Sequence, residues 1–380
     1  MTEKLFYSEP YCKTFEATVQ SCIPSEKGFT VVLDRTAFYP EGGGQPCDLG
    51  TLGGAAVTDV REKDGQIVHT CNLPLEVGST VCGEIDWHRR FDLMQQHSGE
   101  HLVSGIVHAK YGYSNVGFHM GADRITIDFD GMIDEDGLRE VEQRANEAIW
   151  ADLETEIFYP SREELAELPY RSKKALEGQV RLVRFPGIDL CACCGTHVAR
   201  TGEIGLIQLL SCVKFREGVR IELLCGERCL HHLREVREQN RQVSVQLSAK
   251  PLETGEAVRR ICEELNETRQ RVTELENAAF RQKAEALRGT GDVLLFEAPM
   301  VPNRVRELCE LVAASCGGRC AVFAGTDEQG WKYAVCNERN DLRPLCKALN
   351  AALNGRGGGK PNAVQGSASC TREAIEAFFS

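Results

Sequence analysis

The sequence predicts an α+β protein in four parts: an N-terminal β-barrel (1–90), an α+β domain (91–226), a helical linker (227–288) and a C-terminal α/β domain (289–380). Three observations lead there. A chain of 380 residues is long for one hydrophobic core. Its apolar pattern switches from alternation to helical spacing at Phe91. A charged, glycine-poor stretch over 227–288 then separates two mixed segments.

Composition excludes several classes. No apolar run is long enough to span a bilayer, and "MTEKLFYSEPYCKTFEA" lacks the apolar core of a signal peptide. No membrane association is therefore expected. The 18 cysteines are scattered without a repeating framework, which suits a reducing cytoplasm. The net charge of −12 repels phosphate, so a nucleic-acid partner must meet a local basic patch.

In the first part, "FEATVQSCI" (15–23), "FTVVLDRT" (29–36), "AAVTDVREKDGQIVHTC" (55–71) and "STVCGEIDW" (79–87) alternate apolar and polar residues between breakers. Short strands at that spacing suit a small barrel. "FYPEGGGQPCDLG" (38–50) between them reads as a glycine-rich loop. The second part opens with a helix ending at Gly112, then a strand in "FHMGADRITIDFDG" (118–131) and an amphipathic helix over 132–153. Strands and turns fill 180–226. In the linker, Ile261, Leu265, Val272 and Leu275 fall at helical spacing, and Pro251 breaks the helix. The last part alternates strand-like "CAVFAGT" and "WKYAVCN" with helix-like runs.

One constellation carries chemistry. His97 and His101 in "HSGEH" are four residues apart, hence on one helical face. Two imidazoles can point at one ion but cannot fill its shell. Cys193 and His197 in "CACCGTH" repeat the spacing. Imidazole and thiolate donors suit zinc better than magnesium or calcium. Cys191 and Cys194 form a C-x-x-C, an alternative pair; Cys193 is preferred because its spacing to His197 mirrors the first half. H-S-G-E-H also fits the H-x-x-E-H signature of a zinc metalloprotease, with Glu100 as general base and Glu177 as a downstream acidic ligand.

"FYPEGGGQPCDLG", "HSGEH", "CCGTH", "GEIGLIQLL" and "GRGGGKPNAVQGS" stand in the order found in alanyl-tRNA synthetase editing regions. Over nearly its whole length the chain resembles freestanding alanyl-tRNA editing proteins of the long AlaX type. The aminoacylation domain of the synthetase has no counterpart here. The terminal glycine motif resembles a domain attached to DHH-type phosphoesterases, without the DHH triplet.

The resemblance implies hydrolysis of the ester that joins serine, and sometimes glycine, to alanine tRNA. A synthetic pocket built for alanine cannot strongly reject glycine or serine, so a second site must. The implied zinc ligands are His97, His101, Cys193 and His197. Glu100 is a candidate catalytic base, although the family often has threonine there; otherwise it is an exposed helix acid or a partner of a ligand histidine. His119 lies where the family places substrate-pocket residues, and Thr126 on the same segment offers a hydroxyl. Gly43 and Gly44 would approach the substrate, with Gln45 acting on the ester as in the Gly-Gly-Gln of release factors; otherwise the loop is a barrel turn.

For RNA contact, "VKFREGVR" supplies Lys214 and Arg216, "GRGGGKP" supplies Arg356 and Lys360, and "YRSKK" (170–174) adds a basic run. Implied partners are alanine tRNA and, through the C-terminal domain, a second copy in a homodimer. A non-catalytic RNA-binding protein with structural zinc is the third reading.

Overall fold

The computed structural model describes residues 1–172 and 178–380. The fold is mixed α+β, and it divides into two compact units, Met1–Arg241 and Gln242–Ser380.

Six strands dominate the start of the first unit: Thr14–Ser25, Gly28–Leu33, Gly50–Leu52, Ala55–Lys63, Gln66–Cys71 and Thr80–Ile85. They pair in the order first, second, fifth, fourth, third, sixth, and the sixth pairs back onto the first, closing a barrel. Alternation explains the interior. Phe15, Ala17, Val19, Val31, Leu33, Val60, Ile67 and Val81 are buried, and their sequence neighbours on the strands are more exposed. Register shifts after Val19 and after Val57 mark bulges, which increase strand twist. The stretch 55–71 is a hairpin turning at Asp64–Gly65. Gly50–Leu52 is too short for its alternation to show in the sequence.

A long helix, Trp87–Tyr111, follows. It starts four residues before the periodic region because the Asp86 carboxylate accepts the Arg89 N–H at 3.1 Å and caps it. Gly112 ends it in the left-handed conformation. From Leu93 to Val107 every residue of the helix is buried. A four-stranded sheet packs against it, in the order Ile207–Phe215, Gly218–Cys225, Ile125–Phe129, Asn115–Met120. The segment 118–131, expected as one strand, is thus a hairpin broken at Gly121. Helix Glu135–Trp150 and a three-stranded sheet (Glu156–Phe158, Leu182–Phe185, Asp189–Ala192) complete the core.

In the second unit, helix Thr254–Ala286 buries Phe280 and Ala284 against helix Pro302–Cys316. Ile261, Leu265, Val272 and Leu275 are exposed. A five-stranded sheet runs in the order Gly291–Glu297, Gly317–Thr326, Gly330–Cys336, Ala363–Ala368, Gly355–Lys360. Helix Pro302–Cys316 covers one face; helices Arg343–Ala352 and Arg372–Phe379 cover the other. The glycine run is the edge strand Gly355–Lys360, created by pairing with Ala363–Ala368. Among the described residues no helix is long and apolar enough to cross a membrane.

Candidate metal centre

The histidine-bearing helix and the segment after strand Asp189–Ala192 meet inside the first unit. Donor atoms of His97, His101, Cys193 and His197 all lie within 4.8 Å of one another. Cys193 Sγ is 3.5 Å from His97 Nε2 and 3.3 Å from His197 Nε2. Gly195 makes this approach feasible, since a Cβ there would lie 2.1 Å from the His97 ring.

Each ring is aimed by a bond on its other nitrogen. His97 Nδ1 bonds Gln45 Oε1 at 2.8 Å, His101 Nδ1 bonds Asp189 Oδ2 at 2.9 Å, and His197 Nδ1 lies 3.2 Å from Ser98 Oγ. With Nδ1 engaged on all three, Nε2 is the nitrogen left to ligate. Asp189 is itself fixed by Arg171, whose Nε and Nη2 donate to the carboxylate at 2.7 and 2.8 Å. Arg181 braces the cysteine segment by donating to the carbonyls of Cys193 at 2.7 Å and Gly195 at 3.0 Å. Tyr7, from the start of the chain, donates to the Cys194 carbonyl at 3.0 Å.

Electrostatics separates the cysteines. Burial opposes ionisation of Cys193, but His97, His197 and His101 overcome it and hold the thiol well below its ordinary value. Burial pushes the Cys191 thiol up. Burial also opposes a proton on His101, yet the sulfur of Cys193 and the carboxylate of Asp189 lift it to about 10. Burial takes His197 down to about 3. Cys191, His101 and Asp189 form a second donor cluster, but Arg171 already occupies that carboxylate. Three imidazoles and one thiolate, each braced from behind, fit a transition-metal ion of borderline softness.

Glu100 is buried beside this group rather than exposed on the helix. Ser104 Oγ donates to its Oε1 at 2.7 Å, Asn115 Nδ2 donates to the same oxygen, and its Oε2 lies 3.8 Å from His101 Nε2. Gln45 is fully buried and reaches the metal ligands instead of an open cleft. Gly43 and Gly44 form the exposed turn before it, with φ of 60° and 86°.

His119 is exposed and pairs with the half-buried Thr126 across the hairpin. Strand alternation puts both on the face away from Phe118, whose ring centroid is 5.4 Å from that of His97. The strand therefore lends the site Phe118, not His119. Lys214 and Arg216 are exposed at a hairpin tip of the first unit, and Arg356 and Lys360 are exposed on the edge strand of the second. Glu177, Lys173 and Lys174 lie outside the described residues. A cleft of about 730 Å³ beside the centre is lined by Tyr7, Tyr11, Phe158, Tyr159, Arg184 and His197, among others.

Comparison with known proteins adds family matches. A model described as "tRNA synthetases class II (A)" matches residues 6–89, and one described as "Threonyl and Alanyl tRNA synthetase second additional domain" matches residues 180–222. The alanyl-tRNA editing protein AlaX-L of Pyrococcus horikoshii is 29% identical, covering 99% of this chain and 96% of its own length. The alanyl-tRNA editing protein Aarsd1 of Danio rerio is 28% identical, covering 97% and 95%. An alanine–tRNA ligase of Pyrobaculum aerophilum is 34% identical over 96% of this chain, which spans 42% of that longer protein.

Proposed function

We propose that the chain is an alanyl-tRNA editing protein, like the relatives it matches over nearly its full length, and that it deacylates mischarged Ser-tRNA(Ala), and Gly-tRNA(Ala), in trans. The enzyme is an aminoacyl-tRNA deacylase whose centre holds zinc on His97, His101, Cys193 and His197. The observation that supports this most directly is the convergence of the four donors from two remote segments. The metalloprotease reading needs an acidic third ligand, and among the described residues the donors that stand with the histidine pair are Cys193 and His197.

Zinc in that group supplies positive charge that polarises an ester or a water. The remaining work falls to side chains. Ser104 and Asn115 hold one oxygen of Glu100 and turn the other toward the donor cluster. Glu100 accepts a proton from the attacking water as its oxygen bonds to the ester carbonyl carbon. The ester C–O bond then breaks, and Glu100 returns the proton to the departing ribose oxygen. The cleft bordered by His197, with tyrosines on its wall, is where the terminal nucleoside enters. A hydroxyl-demanding pocket selects serine over alanine, because alanine leaves buried polar groups unpaired.

Lys214, Arg216, Arg356 and Lys360 contact phosphates, and the substrate places the protein in the cytoplasm. The exposed stripe Ile261, Leu265, Val272 and Leu275 supports self-association as a homodimer.

The test is to incubate Ser-, Gly- and Ala-tRNA(Ala) with the parent protein and with His101→Ala. The serine ester should disappear with the parent, the alanine ester should persist, and the variant should lose at least about 100-fold in rate. Persistence of the serine ester with the parent, while RNA binding is retained, would instead fit a non-catalytic RNA-binding protein.

A further inference from the structure

The glycine-rich loop is tied to both sides of the metal centre. Its base is bolted to the first turn of the histidine-bearing helix. Asp48 accepts the Tyr39 N–H at 2.6 Å and the Arg90 Nε–H at 2.9 Å, and Arg89 Nε donates to the Cys47 carbonyl at 3.1 Å. The Arg90–Asp48 pair is fully buried. Its tip is a two-residue turn, with Gly42 and Gln45 exchanging backbone hydrogen bonds of 3.1 and 2.9 Å. Positive φ at both Gly43 and Gly44 is the requirement of a type I′ turn.

That turn drives Gln45 inward. Its Oε1 accepts from His97 Nδ1 at 2.8 Å and from the Thr196 N–H at 3.1 Å; its Nε2 donates to Thr196 Oγ1 at 2.8 Å. Thr196 is fully enclosed and directly precedes His197. One carboxamide thus touches both ligand-bearing segments, which lie 96 residues apart in the chain.

We propose that the loop is a latch on the metal centre, in which Gln45 is a positioning residue: it fixes the Nδ1–H form of His97, leaving Nε2 for the ion, and ties that ring to the segment carrying Cys193 and His197. The proposal rests on the metal part of the functional reading and not on the substrate. It assigns Gln45 no contact with the ester.

The experiment compares zinc affinity, by competition with a chromophoric chelator, and the visible absorption of the cobalt(II)-substituted protein. The variants are Gln45→Leu, which removes the acceptor at similar volume, and Gln45→Glu, which keeps it. Gln45→Leu should bind zinc about 10- to 100-fold more weakly and shift the cobalt bands. Gln45→Glu should stay within about threefold of the parent, since its carboxylate accepts the same N–H groups. Parent-like zinc affinity and cobalt bands in Gln45→Leu overturn the proposal. So does Gln45→Glu losing as much as Gln45→Leu, and this comparison holds even where the leucine variant folds poorly. Neither readout involves tRNA, so a failed latch and a failed deacylase assignment are separate results.

Discussion

Cys193 differs from Cys191 in what surrounds its sulfur as well as in its spacing to His197. Three imidazoles favour the thiolate at 193, whereas at 191 burial leads the rise, opposed by Arg171 and reinforced by Asp189, Cys193 and Glu100. The ligand spacing was legible because i and i+4 share a helical face, and a repeated spacing in the second half matched it. The braces Asp189, Arg171 and Ser98 were not legible as a set. Asp189 and Arg171 reach His101 only through folding, from 88 and 70 positions further along the chain, and no local pattern marks them. Ser104 was accessible in principle, lying four residues from Glu100 on the same helix. His69 shows the same scale in the barrel. It is fully buried, its Nδ1 donating to the Val31 carbonyl at 3.1 Å and its Nε2 facing the Thr36 hydroxyl at 2.9 Å. Burial lowers its pKa from 6.5 to about 4. The unfolded chain therefore takes up a proton near pH 6.5 that the native barrel refuses until about pH 4. Stability is fully present above pH 6.5 and falls as pH drops, by about 2 kcal/mol at pH 5. Urea unfolding at pH 7 and pH 5 should show this loss in the parent and not in His69→Gln. A parent–variant difference independent of pH contradicts it.

At the scale of elements, the strands and helices that alternate or repeat strongly were legible, and the exceptions have one cause. Gly50–Leu52 and Gly355–Lys360 are strands because a neighbour pairs with them, not because their side chains favour it. The turn at Gly43–Gly44 has the reverse history. Its glycines are open to two readings, a barrel turn or a substrate-facing loop, and the geometry makes them the turn that presents Gln45. The two glycines are not equivalent. At Gly43 a Cβ meets nothing within 4 Å, while at Gly44 it would lie 2.7 Å from the Phe118 ring. Gly43→Asn should be nearly neutral, because asparagine tolerates this turn position. Gly44→Ala should cost roughly 1–3 kcal/mol and disturb the ring beside His97. Thermal unfolding of the two variants decides this, and equal melting temperatures would show that the turn tolerates a side chain at both positions.

For the whole molecule, the barrel and the metal-bearing segment make a single compact unit. Barrel-side residues explain why: Gln45 and Tyr7 bond to the ligand loop, and Asp48 bonds to the ligand helix. Local pattern places a boundary near residue 90, where periodicity changes, and these contacts run across it. The acidic chain still presents exposed cations at Lys214, Arg216, Arg356 and Lys360, and the proposed phosphate contact requires local positive charge of this kind. What unites these scales is one claim, that a braced four-donor centre makes this chain a deacylase. The most direct test is the rate of Ser-tRNA(Ala) deacylation by protein stripped with a chelator, verified metal-free, then titrated with zinc. The account predicts loss of activity on stripping and its return at one equivalent of zinc per chain. Parent-rate deacylation by the metal-free protein would contradict it.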